Sequence, residues 1–229
     1  MSTQQLIRDQ GGFTLVEQLV AAAAGLIVLF AVTSLFMTSL RQTADVNGRI
    51  DANQRARIGL YQVMDELHSA CVAPQIAPVR DGSTSTALSF IHQTGSAVAP
   101  TPVLSTIALS GGTLRESVYP ATGGSIPNWT FASTPSSVRQ IVTGVSASGG
   151  TPLFSYYAYS NGQLSSTALP TPLSASDASR AVQVSVAMTV APSDAAVRDA
   201  NAPISIRDSA LLRFTPAAFS TSANNLPCQ

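Results

Sequence analysis

Residues 18–40 carry no formal charge. A run of roughly 23 residues makes about 34 Å of helix at 1.5 Å per residue, enough to cross a bilayer with some tilt. A secretory signal peptide has a shorter apolar region with a small-residue cleavage site after it; here the run is longer, and the glycine pair Gly11-Gly12 precedes it. At the head of the run stands one carboxylate, Glu17. Burying a lone charge in hydrocarbon is costly, so a residue of this kind marks a function whose partner has to be named.

The helical pattern does not stop at the end of the apolar run. Val46, Ile50, Leu60, Met64, Leu67 and Cys71 recur at steps compatible with one helix face, while Arg49, Asp51, Arg55, Asp65 and Glu66 take much of the rest. Pro74 and Pro78 forbid continuation. The spacing predicts one helix over about 14–71, its first half apolar and its second half amphipathic, with bends at Gly25, Gly48 and Gly59.

From residue 80 the period changes to two. In 181–190 Val182, Val184, Val186, Met188 and Val190 face one way and Gln183, Ser185 and Thr189 the other, a half-buried strand. Weaker strand patterns occupy 86–93, 103–109, 113–119, 138–145, 153–159 and 204–214, and turn signals fall at 110–112, 122–124, 148–150 and 160–162. The expected fold is α+β: a long N-terminal helix whose amphipathic half packs on one face of an antiparallel sheet. The expected division is 1–12 leader, 13–40 transmembrane half, 41–74 amphipathic half, and 75–229 β-rich head.

Charge and cysteine count limit what such a chain can do. Its formal net charge is zero, and its twelve basic residues, all Arg, form no run. Nucleic acid is therefore not an expected partner, since phosphate binding needs clustered cations. Cys71 and Cys228 both follow the apolar run. Outside the cytoplasm they read as one disulfide, and otherwise as two unpaired buried thiols; metal and redox motifs need closer spacing.

The N-terminal segment resembles the class III signal of type IV pilins and of type II secretion pseudopilins. The match rests on a short hydrophilic leader, then Gly12, then "FTLVE" with Phe13 first and Glu17 fifth, then the apolar helix. The resemblance implies cleavage between Gly12 and Phe13 by a membrane-embedded prepilin peptidase, with N-methylation of Phe13. It also supplies a partner for Glu17, the free amine of Phe13 on a neighbouring subunit, which a carboxylate attracts strongly in a low-dielectric setting. A local reading stands beside this one: Thr14 and Glu17 fit a capping box, in which the acid reaches back to the cap.

The order "VTGVSA … LFSYYAY … SRAVQVSVAM … LLRF" over 138–214 resembles, less specifically, PilW-type minor pilins and J-type minor pseudopilins. The two resemblances together imply a non-enzymatic filament subunit with a single membrane pass and its head outside the cytoplasm. Its expected partners are other pilin or pseudopilin subunits, the prepilin peptidase and an inner-membrane assembly platform. Counting Arg alone, with Arg41, Arg49, Arg55 and Arg57 after the run, would place the head in the cytoplasm. The cleavage signal and the cysteine pair agree on the other orientation, and large domains translocate despite such charge. The rival readings are a major pilin, a tip adhesin or DNA-uptake pilin, and a membrane-anchored hydrolase.

No cofactor and no metal are expected. His68 and His92 stand in no metal or nucleophile motif. Asp194, Asp199 and Asn201 offer calcium-type oxygen ligands in a loop, but read as a solvated loop. Asn128-Trp129-Thr130 reads as a turn asparagine rather than a glycosylation acceptor, and Trp129, Tyr156, Tyr157 and Tyr159 as core and edge packing.

Overall fold

The computed structural model describes residues 12–71, 76–94, 101–125, 128–147, 150–193 and 203–212. The chain divides into two compact units, Met1–Asn47 and Gly48–Gln229. Helix α1 (Leu15–His68) contributes its first part to one and its last part to the other.

In the first unit the large apolar side chains from Phe13 to Leu40 are exposed, and the helix is long and apolar enough to cross a membrane. Three of its threonine hydroxyls are satisfied inside the helix. Thr33, Thr38 and Thr43 donate to the carbonyls of Leu29, Ser34 and Ser39 at 2.8, 3.0 and 2.9 Å. Such back-bonding removes the cost of a free hydroxyl in an apolar medium.

Among the described residues the second unit holds the rest of α1, ten strands and a short helix. The strands are β1 (Ala87–Thr94), β2 (Thr101–Ser110), β3 (Thr113–Ser125), β4 (Asn128–Phe131), β5 (Ser137–Thr143), β6 (Val145–Ala147), β7 (Phe154–Ser160), β8 (Gln163–Leu164), β9 (Ala181–Val190) and β10 (Ile204–Leu211), with α2 (Ala175–Arg180) before β9. They form two antiparallel sheets where one was expected. The first runs β1-β2-β3-β4 with β5 also on β3, and the second runs β10-β9-β7-β8 with β6 also on β9. Gly144, at φ +71°, separates β5 from β6 and so moves the chain from one sheet to the other. The fold is α+β, as expected.

The helix face that packs on the sheets is the expected one at Leu60, Met64, Leu67 and Cys71 and departs from it further up the helix. Val46 and Ile50 are half exposed, and the buried positions are Ala52, Ala56, Gly59, Val63, Met64 and Leu67. Small residues dominate its first turns because the backbone approaches a strand closely there. A Cβ at Gly59 would stand 3.0 Å from Val142 Cγ1. Gly59 is thus a packing position, where a bend was expected. Around this face lies one core that includes Leu88, Phe90, Ile107, Leu114, Phe154 and Tyr156.

Other local expectations are corrected. Strand β9 is buried on both faces, Ser185 and Thr189 included, and not half-buried. Gly123 and Gly124 lie within β3, paired with Thr130 and Trp129 of β4, so 122–124 is not a turn and Asn128 opens a strand. The turns at Gly111-Gly112 and Asn161-Gly162 stand where expected, with φ of 56°, 71°, 53° and 79°, the left-handed values such hairpins require.

Candidate functional site

The N-terminal segment is built around Thr14. Its side chain accepts from the Glu17 N–H at 3.2 Å, and its carbonyl accepts the first helical bond from Gln18 N–H at 3.1 Å. Thr14 is therefore the N-cap. The reciprocal half of a capping box is missing: among the described residues the Glu17 carboxylate has no hydrogen-bond or ion-pair partner. Glu17 is exposed in the first turn, flanked by exposed Phe13, Leu15, Val16, Leu19 and Val20.

Gly12 directly precedes this group. A Cβ there would meet nothing within 4 Å. Packing among the described residues thus supplies no reason for glycine at that position.

Cys71 is buried and disulfide-bonded, and its N–H donates to the Ile91 carbonyl at 2.8 Å. It belongs to a small cluster with Ile76 and Ile91, against which Leu104, Trp129 and Phe131 pack. Cys228 lies outside the described residues, as do Asp194, Asp199, Asn201 and the leader through residue 11. The aromatic residues do not form one surface. Trp129 belongs to β4 of the first sheet and the tyrosines to β7 of the second. Tyr156 is a core residue whose hydroxyl donates to Thr84 O at 2.9 Å, and burial pushes its pKa up.

A polar cluster that the sequence reading did not assemble sits where the end of α1 meets the first sheet. It consists of Glu66 of α1, Ser69 just after that helix, His92 of β1, Ser105 of β2, Glu116 of β3 and Arg139 of β5. Arg139 donates from Nε to Glu116 Oε2 at 2.6 Å and from Nη2 to Glu66 Oε1 at 2.7 Å. Glu116 and Arg139 face one another directly in the β3–β5 register. Glu116 is only 2% exposed and His92 5%. Burial, the Glu116 charge and Asp65 push the Glu66 pKa up, while Arg139 opposes them. Burial pushes the His92 pKa down, with Glu116 acting the other way.

Glu66, His92 and Glu116 each bring a possible ligand atom within 4.8 Å of the others. The Arg139 guanidinium already bonds both carboxylates, so this cluster has an internal cation. One signal in the chain could have revealed it. His92, Ser105 and Glu116 occupy the inward parity of strands whose neighbours Phe90, Ile107 and Leu114 form the core. Polar residues on that parity need buried partners.

No family model matches the chain, and no curated protein matches it.

Proposed function

We propose that the chain is a non-enzymatic subunit of a type IV pilus-like filament, a minor pilin or pseudopilin, anchored by α1 and displaying its α+β unit outside the cytoplasm. One observation carries the reading: among the described residues the Glu17 carboxylate has no partner, in the first turn of an exposed apolar helix. A carboxylate in hydrocarbon needs a cation. In the proposed filament that cation is the Phe13 amine of an adjacent subunit, freed by cleavage after Gly12. The half-formed capping box supports this, because the local reading would have used the carboxylate and the structure leaves it free. The open space at Gly12 supports it too, since a glycine that local packing does not require fits one read by a peptidase. Partners on this reading are other subunits, the peptidase and an assembly platform in the membrane.

The test is the mature N-terminus. Intact-mass measurement on membrane-extracted protein is expected to give a chain starting at Phe13, heavier by one methyl group, and Gly12→Leu is expected to leave the leader attached. A mature start beyond residue 30 would overturn the proposal.

A further inference from the structure

The chain has two histidines, and both line one open cleft with Asp65, Glu66, Ser69 and Gln93. The ring of His92 is held there in a definite tautomer. Glu116 is bonded by Arg139 at Oε2 and lies 3.0 Å from Ser105 Oγ at Oε1. A carboxylate only accepts, so the Ser105 hydroxyl donates to it, and Ser105 Oγ accepts in turn from His92 Nε2 at 2.9 Å. Burial disfavours the doubly protonated, cationic ring. The one proton of the neutral imidazole is therefore on Nε2, and Nδ1 keeps its lone pair. A carboxylate behind a metal-bound histidine fixes the ring in the same way.

Nδ1 faces Glu66 Oε2 at 3.3 Å. Arg139 holds the other oxygen, Oε1, so Oε2 has no further partner among the described residues. Ser69 Oγ stands 3.2 Å from Nδ1 and can donate to it, but it also lies 2.7 Å from the Glu66 carbonyl. Its proton thus has a second acceptor, and Nδ1 can be given up without stranding a donor. Two ligands at about 2.0–2.1 Å from a tetrahedral zinc ion stand about 3.3–3.4 Å apart. Nδ1 and Oε2 already have that spacing. Charge favours a cation as well: Glu66 and Glu116 against Arg139 leave one negative charge over, and Asp65 adds another at the cleft. The side chains of Asp65 and His68 are exposed and have no hydrogen bond or ion pair among the described residues.

We propose that this cleft binds one transition-metal ion of the zinc type through His92 Nδ1 and Glu66 Oε2, with Asp65, His68 and water completing the shell from the open side. An imidazole nitrogen beside a carboxylate suits zinc, whereas calcium and magnesium take oxygen ligands. Arg139 stays on Glu66 Oε1 and Glu116 Oε2, so the ion is added to those bonds and does not replace them. Spacing along the chain does not show such a site, because its two fixed ligands come from a helix and a strand. The ion ties the end of α1 to β1 beside Ala70, which bridges His92, and the disulfide-bonded Cys71. Zinc is therefore expected to raise the unfolding midpoint as its concentration rises.

The experiment titrates zinc ion alone into the untagged full-length chain in detergent micelles, stripped of metal beforehand, against a chromophoric zinc indicator near neutral pH. Wild type is expected to take up a single equivalent with a micromolar or tighter dissociation constant. His92→Gln and Glu66→Gln are each expected to weaken binding by at least about tenfold, since loss of even an outer partner of a ligand costs that much. No uptake by wild type, or equal affinity in His92→Gln, would overturn the proposal. Should the variants not fold, nitrogen NMR of histidine-labelled wild type decides, with His68→Gln assigning the signals. Zinc is expected to shift Nδ1 of His92 and to leave Nε2 protonated. A His92 ring that zinc does not move, or one bound through Nε2, refutes the site.

Discussion

Arg55 Nη2 donates to the carbonyl oxygen of Ala191 at 3.0 Å. Nη1 of the same guanidinium donates to Thr143 O at 3.1 Å, and Nε is held by Asp51 at 2.9 Å. Thr143 ends β5 in the first sheet and Ala191 follows β9 in the second. One helical side chain thus ties the ends of both sheets to α1. Arg55→Met keeps the stem and removes the fork, leaving two carbonyls without their donor. The expected cost is about 2–3 kcal/mol in denaturant unfolding. Asp51→Asn loses a half-exposed ion pair and is expected to cost under about 1 kcal/mol. Equal effects from the two would mean that the carbonyl bonds contribute nothing.

Gly59 sets how closely the helix lies on the sheet. Alanine there would gain about 1 kcal/mol of helix propensity, but its Cβ would stand 3.0 Å from Val142 Cγ1 and 3.1 Å from Val142 Cβ. Overpacking of this kind costs about 1–3 kcal/mol, so Gly59→Ala is expected to be neutral to destabilising. In a Val142→Ala background the contact with Cγ1 is gone while the one with Cβ at 3.1 Å remains, so the same substitution is expected to cost less than in wild type. A double-mutant cycle on thermal midpoints measures the difference.

Cys71 and Cys228 are expected in one cross-linked fragment under non-reducing peptide mapping of exported protein. Cys71 is disulfide-bonded, and the chain has two cysteines. Closing so long a loop is worth about 5 kcal/mol on the chain-entropy account, so reduction is expected to lower the unfolding midpoint markedly. Free, alkylatable thiols in the exported protein would count against the pairing and against a head outside the cytoplasm.

Periodicity made the long helix and most strands legible, because a period of 3.6 or 2 in large apolar side chains is what it detects. Ala52, Ala56 and Gly59 escaped it: a face that packs through small residues carries little hydrophobic signal. Helix α2 is short, and its evidence is local, Ser174 accepting from Asp177 N–H at 3.1 Å. Strand β4 was hidden because Gly123 and Gly124 read as a turn while they pair with it. The Glu66–His92–Glu116–Arg139 cluster joins four separate elements, and spacing along the chain does not encode such a meeting. Gly12, Phe13 and Glu17 lie within six residues of one another, so their pattern could be read directly.

Glu17 is expected to govern assembly and leave the head's stability unchanged. It belongs to the first of the two units, and its carboxylate has no partner among the described residues that folding could depend on. Thr14 performs the capping with its own side chain, accepting from the backbone N–H of Glu17, a bond any residue at 17 can give. Glu17→Gln and Glu17→Ala should therefore leave α1 capped. Gln retains shape and polarity but cannot neutralise a neighbour's Phe13 amine, and Ala retains neither. Charge pairing thus predicts that both variants enter sheared filaments at least tenfold less than wild type. Cleavage after Gly12 and the unfolding midpoint of the head are expected to stay as they were. A carboxylate acting only as a cap would instead let Gln pass and penalise Ala. Wild-type incorporation of Glu17→Gln would remove the charge-pairing mechanism, whatever Ala does.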